Sequence, residues 1–325
     1  MNPAFSVIFL TTLIGVGQGL FVAMVTGQSI SALGFLPEQS NQFYVFGSMV
    51  VIGFLIAGLV ASFFHLGHPE RAWRTAAMWR TSWLSREVIV LPLLMGMVMA
   101  YGLIHYFGWA LSDVGIADGF NGDLALVMGV AGVVISFALF ICTGMIYACI
   151  KFLQEWSHPL TVINFTLFGL CSGFLLATSI AQYRAPDFAN LFGGCSLVLL
   201  FLVLITRVWS LYRNSNIRPK STLQSAIGVR HNKIQQKSQG FMGGSVNTRD
   251  FFHHVGPMFF KSIKWIFLLL VFPVAMTLLI SGMMQQSMML LAIAFVLQYI
   301  GLLAERWFFF AQANHPQNLY YQTIS

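Results

Sequence analysis

Charged side chains make up only 8% of the 325 residues, and ten residues in all are acidic. Soluble domains carry about 25% charge, so a soluble enzyme and a disordered tail are both excluded. Cysteine is also scarce. Cys142, Cys149, Cys171 and Cys195 each sit inside an apolar run, and no two form a Cys-x-x-Cys pair. That excludes a disulfide-stapled secreted domain and leaves no framework for a cysteine-ligated iron–sulfur cluster on this chain. A basic n-region is missing before the first apolar run, which is too long for a signal-peptide core. The run is read as a spanning helix, with no cleavable leader.

What is present is apolar: 57% hydrophobic residues and a mean hydropathy of +0.76. Such a chain needs lipid as its solvent, and its long continuous runs fit helices rather than the short alternating segments of a membrane barrel. Eight segments are long enough to span, about 6–33, 43–66, 87–107, 124–150, 160–182, 188–210, 264–281 and 287–312. The expected class is an all-α polytopic membrane protein, one integral membrane domain over 1–325. Pro92 and Pro273 predict kinks in the third and seventh helices, which neighbouring helices accommodate.

Lys and Arg set the orientation. With eight spans, one side holds both termini and the second–third, fourth–fifth and sixth–seventh connections. That side carries Arg71, Arg74, Arg80, Arg86, Lys151, ten basic residues from Arg207 to Lys264, and Arg306. The other side keeps Arg184 with Glu38, Asp113, Asp118, Asp123 and Asp187. The two sides have net charges of +11 and −4. The basic side, with both termini, is placed in the cytoplasm of a bacterial inner membrane protein. The loop 211–261, with its glycine-rich stretch 240–245, is basic and too short for a catalytic domain; it reads equally as a flexible linker and as a docking surface.

Small residues recur every fourth position at Gly15, Gly19, Ala23 and Gly27, and again at Gly169, Gly173, Ala177 and Ala181. Such stripes let backbones approach closely in lipid. Their equivalent placement in the first and fifth helices suggests two four-helix bundles.

The densest polar cluster joins the second and third helices. From His65 to Glu87 it gathers two His, two Glu, four Arg and three Trp. His65 closes one helix and Glu87 opens the next, so antiparallel packing brings them together. Imidazole titrates near neutrality and both donates and accepts hydrogen bonds, and a carboxylate at the membrane edge relays protons. Together they suit a quinone headgroup. The plainer reading is an interfacial His, a Glu paired with Arg86 or Arg71, and snorkelling arginines. The pairs His68-Pro69, His158-Pro159 and His315-Pro316 fall at helix ends, where turn chemistry explains them. No helix carries two well-spaced histidines, so haem is not expected. Few ionisable residues and no broken midplane helices argue against a transporter.

The segments His65-Leu-Gly-His-Pro-Glu-Arg-Ala-Trp-Arg and Ser82-Trp-Leu-Ser-Arg-Glu87 resemble the integral membrane anchor of the dimethyl sulfoxide reductase and polysulfide reductase family. Length and helix count extend the resemblance over essentially the whole chain. With Gly240-Phe-Met-Gly-Gly-Ser-Val-Asn-Thr-Arg-Asp-Phe-Phe-His, these motifs are most similar to the membrane subunits of the cytoplasmic sulfite dehydrogenase (quinone) branch. The resemblance implies a subunit that is not itself catalytic. It would hold a molybdopterin catalytic subunit and an iron–sulfur subunit on the cytoplasmic face, and bind quinone (ubiquinone or menaquinone) without haem. Its membrane contact is lipid, and no nucleic acid is expected. It assigns quinone binding to His65 and Glu87, with Arg71 and Arg86 at neighbouring charged or polar positions; Tyr147 is added from its helix depth. Electrons would pass from sulfite oxidation to quinone. A quinol-oxidising anchor of a dimethyl sulfoxide-type reductase, a transporter of sulfur oxyanions, and a purely structural anchor remain as alternatives.

Overall fold

The computed structural model describes residues 1–109, 123–218, 222–235 and 251–316, together with Lys237 and Asn318. Asp113, Asp118 and the glycine-rich stretch 240–245 lie outside the described residues. Eight helices are long and apolar enough to cross a membrane. They are α1 (Phe5–Ala32), α2 (Asn41–Phe63), α3 (Trp83–Phe107), α4 (Leu124–Ala148), α5 (Pro159–Arg184), α6 (Pro186–Ser215), α7 (Pro257–Met284) and α8 (Met288–Ala311). No strand occurs among the described residues.

Local chemistry sets the ends. Ser82, Asp123 and Ser287 cap α3, α4 and α8 with side-chain oxygens that accept amides of the first turn. His158 caps α5, its Nδ1 accepting the Leu160 amide at 3.1 Å, while Pro159 supplies the fixed first-turn geometry. Gly108 ends α3 with a left-handed φ of 69°. α3 runs uninterrupted through Pro92. Pro273 instead sits in a π-turn, Leu270–Val274, inside α7. The wider turn absorbs the missing amide, and the Pro273 carbonyl accepts the Thr277 hydroxyl at 2.8 Å.

The eight helices are not equivalent. In α1 and α5, 72% of the central apolar window is buried, against 33–39% in the other six. α1 packs on α2, α4 and α5; α5 packs on α1, α4, α6 and α8; α3 bridges α2 and α4, and α7 lies on α6 and α8. Lipid gives no hydrophobic drive for this association, so close backbone approach and polar contacts must supply it. The glycine stripes do so. A methyl group added at Gly19 would strike the Gly169 carbonyl, and one at Gly173 would strike Gly19 and Leu20 of the α1 backbone.

Candidate functional site: the polar end of the bundle

The connection between α2 and α3 is a 3₁₀-helix, Pro69–Met78, with no buried residue. Three residues per turn eclipse every third side chain. Arg71 and Arg74 therefore fall in one row, and Trp73 and Ala76 in the next. Trp73, Met78 and Trp79 are exposed. Arg71 faces Glu70 at 3.6 Å on this surface, and His68 Nδ1 lies 3.1 Å from the same carboxylate. Arg86 holds the segment down. Its guanidinium donates to the carbonyls of Trp79 (3.0 Å) and Arg80 (2.8 Å) and stacks over Trp83 at 4.2 Å. Truncation in Arg86→Ala is expected to release both carbonyls, which should appear as faster proteolysis of the α2–α3 connection with the helices still protected.

Because Ser82 caps α3, the helix starts at Trp83, and Glu87 lies a full turn inside it. Glu87 is buried, and the Thr143 hydroxyl of α4 donates to its Oε1 at 2.5 Å. One turn further along α4, Tyr147 sits in an aromatic box. It stacks on Phe165 at 5.4 Å, with Trp156, Phe309 and Phe310 edge-on at 5.2–5.8 Å. The Trp156 indole donates to the Phe309 carbonyl at 3.0 Å, locking the α4–α5 connection against α8.

Of the five residues singled out from the sequence, the fold thus brings Glu87 and Tyr147 to one end of α4. His65 lies in the exposed turn after α2, and its partial burial pushes its pKa below the ordinary imidazole value. Arg86 and Arg71 are engaged by backbone carbonyls and by Glu70, and neither forms an ion pair with Glu87.

Beyond Tyr147 lies a group that sequence reasoning did not single out. Arg207 of α6 and Glu305 and Arg306 of α8 are each at most 3% exposed. Arg207 Nε lies 2.8 Å from Glu305 Oε1, and Arg306 Nη1 lies 2.9 Å from Oε2. The Arg306 guanidinium also rests 3.6 Å above the Phe165 ring, on which Tyr147 is stacked. Arg207 Nη2 and Arg306 Nε have no hydrogen-bond partner among the described residues. Two cations and one carboxylate leave a net positive charge inside the helices.

A second polar cluster closes the opposite end. Tyr101 donates to Gln28 at 2.6 Å, and Gln28 donates to Asp123 at 2.6 Å. His105 stacks on Tyr44 at 4.4 Å, its Nδ1 3.1 Å from Asn41 Oδ1. Apolar Phe21, Val25, Leu94 and Val98 are buried between the two ends. Among the described residues no group of three or more His, Cys, Asp or Glu could hold a metal ion.

Eight apolar helices enclosing buried charge define a multi-pass membrane protein with an internal polar site. The DMSO reductase anchor subunit (DmsC) family model matches residues 1–321, and the chain belongs to that family. It is 52% identical, over 325 residues and the full length of both chains, to a sulfite dehydrogenase subunit of Allochromatium vinosum.

Proposed function

We propose that this chain is the quinone-binding membrane anchor of a molybdenum and iron–sulfur oxidoreductase, passing electrons from sulfite oxidation on partner subunits to membrane quinone. The observation that carries the reading is the Glu87 carboxyl, buried in the first turns of a spanning helix and held by Thr143. An ionisable group in that position marks a functional site. The name of the Allochromatium relative supports sulfite as the electron source. The two contact rings α1–α2–α3–α4 and α5–α6–α7–α8 support a pair of four-helix bundles. The basic loops support cytoplasmic termini, an inner-membrane location and iron–sulfur docking on that face; on this reading the 211–261 loop is part of the docking surface and the whole chain is one integral domain.

The residues present fit a quinone. Glu87 offers its second carboxylate oxygen, Thr143 and Tyr147 carry hydroxyls one turn apart on α4, and His65 lies in the turn after α2. An apolar cleft of about 230 Å³ opens at the same end, lined by Phe5, Ile8, Phe259, Ile263, Leu303 and Trp307. Ile8, Leu303 and Trp307 also pack in the Tyr147 cluster, so the cleft adjoins that cluster and suits an isoprenoid tail. Bound quinone supplies a two-electron, two-proton acceptor. Glu87 would hold a proton and pass it to a ring oxygen, and His65 would offer the ring a hydrogen bond. Tyr147 would orient the second carbonyl, while Arg86 and Arg71 would keep the connection between α2 and α3 in place and positively charged.

In the purified complex, Glu87→Gln is expected to lower sulfite-dependent quinone reduction about 10²-fold or more, with all subunits still co-purifying. Unchanged turnover would remove Glu87 from the site. Partial burial lowers the His65 pKa from the ordinary imidazole value, which moves protonation of its ring to lower pH. Turnover should therefore stay level above the ordinary imidazole value of about 6.5 and decline only at lower pH; His65→Gln should abolish that decline. Quinol-dependent reduction of an S- or N-oxide by the same complex would reverse the direction. A chain that purifies alone and takes up sulfur oxyanions in vesicles would make it a transporter.

A further inference from the structure

We propose that the buried Arg207–Glu305–Arg306 triad is an anion-binding site, holding one small monovalent anion of the halide class between α6 and α8. The inference is independent of the quinone reading above. Its basis is a mismatch of charge and of hydrogen-bonding capacity. Arg207 is 1%, Glu305 0% and Arg306 3% exposed. The two guanidiniums share the Glu305 carboxylate, with Arg207 Nε at 2.8 Å and Arg306 Nη1 at 2.9 Å. Among the described residues no second carboxylate forms an ion pair with either guanidinium. Arg207 Nη1 reaches the Ser210 hydroxyl at 3.4 Å, which adds a partner but no charge. Arg207 Nη2 and Arg306 Nε have no partner among the described residues. One positive charge and a spare donor on each guanidinium are left over, in a place closed to bulk water.

The surroundings do not supply what is missing. Arg306 lies 3.6 Å above the Phe165 ring, and Arg207 faces Phe267 at 5.6 Å. A ring attracts the face of a guanidinium, but the N–H bonds lie in the guanidinium plane and point past the ring. Helix dipoles do not supply it either. α6 and α8 end on this side of the bundle, while α5 and α7 begin there, so their terminal partial charges oppose one another. Such a charge also fades within one turn, and Arg207 stands about two turns before the end of α6 at Ser215. Water would satisfy the free donors and leave the charge uncompensated, which is the costlier defect in a dry interior. A monovalent anion answers both needs. It brings the charges to two of each sign and accepts from guanidinium N–H groups. A divalent oxyanion would overshoot the charge. A lipid phosphate carries the right charge, but its glycerol and acyl chains would have to part α6 from α8 to reach groups this deeply enclosed.

The test uses the full-length protein in detergent, exchanged into sodium gluconate, chloride or bromide at one ionic strength. An ion that binds only the folded chain raises the thermal midpoint as its concentration passes the dissociation constant. The midpoint is expected to climb by a few degrees per tenfold rise in chloride or bromide beyond half-saturation, and to stay flat in gluconate, which is too large to enter. Bromide also scatters X-rays anomalously, so crystals are expected to show one bromide per chain against the guanidiniums of Arg207 and Arg306. Arg207→Gln leaves the neutral Glu305–Arg306 pair. It should bind bromide about tenfold or more weakly, the loss of one charge-assisted hydrogen bond, and in gluconate it should be no less stable than wild type. Arg306→Gln should behave alike, and Arg74→Gln, at an exposed position, should keep the full response. A structural clamp without an anion predicts otherwise: Arg207→Gln less stable than wild type in every salt, and no halide response in either. Wild-type midpoints equal in all three salts, with no bromide at the guanidiniums, would overturn the proposal. So would a halide response that Arg207→Gln retains, the mark of an adventitious ion only. A phospholipid that survives delipidation of the wild type and is lost in Arg207→Gln would overturn it in favour of a lipid phosphate. If neither variant folds, the bromide position in the wild-type protein decides alone.

Discussion

Replacing Glu305 with Gln is expected to destabilise the chain by about 3–5 kcal/mol, the cost of stripping a buried ion cluster of its counter-charge. Glu305 is wholly buried, and both of its oxygens lie within 2.8–2.9 Å of guanidinium nitrogens from two different helices. The Gln side chain has nearly the same volume, so no cavity term enters. What remains is two guanidiniums facing each other across a neutral amide. The effect should be read as a loss of detergent-solubilised monodisperse protein and a lower thermal midpoint. Removing Arg207 as well relieves the like-charge repulsion, so Arg207→Gln/Glu305→Gln should be more stable than Glu305→Gln alone. A single variant as stable as wild type would mean that Glu305 does not supply the counter-charge in the Arg207–Glu305–Arg306 triad.

The second large effect is steric. Gly173→Ala is expected to cost about 3 kcal/mol, the upper end of ordinary overpacking penalties, because the added methyl meets the backbone of α1 at Gly19 and Leu20. A flexible side chain could turn away, but a helix backbone moves only as a body. Gly19→Ala should behave alike against Gly169. Gly96→Ala is the control. Nothing lies within 4 Å of a methyl group there, and the change should be neutral or slightly stabilising through helix propensity. Thermal unfolding of the three variants in one detergent decides the matter. Equal midpoints for Gly173→Ala and Gly96→Ala would mean that α1 and α5 can separate freely.

These two features differ in how plainly the sequence announces them. The glycine stripes are legible, because four-residue spacing of small residues is a local pattern that lipid packing uses directly. The eight spans are legible for the same kind of reason, since about 20 apolar residues match the bilayer core. The triad is not. Arg207 and Arg306 stand near the basic ends of their spans and are counted there as ordinary interfacial charge. Their burial comes from how α6 and α8 pack: α6 continues to Ser215, past its expected end at 210, while α8 ends at Ala311, close to its expected end. A Glu-Arg dipeptide inside an otherwise apolar run was the available signal.

The facing of Glu87 was hidden too. Its expected partners were His65, Arg86 and Arg71, the polar residues nearest in sequence. In a helix apolar on nearly every side, periodicity does not mark the inner face. The Ser82 cap decides it instead, by starting α3 early enough to turn Glu87 toward Thr143. Arg86 is diverted by two carbonyls that the 3₁₀-helix leaves without intrahelical donors. Tyr147 was placed by depth alone, and the aromatic cluster around it, drawn from α5, α8 and the α4–α5 connection, has no local pattern in the sequence.

The central position of α1 also bears on how the chain is made. α1 leaves the ribosome well before its close neighbour α5, which follows only after α2, α3 and α4. Until then the glycine face of α1 has lipid against it where a backbone will later lie. The first four spans therefore form an insertion intermediate with an open seam, and arrival of α5 closes it. An interruption of synthesis between α4 and α5 leaves that seam exposed in the bilayer, a natural mark for membrane quality control.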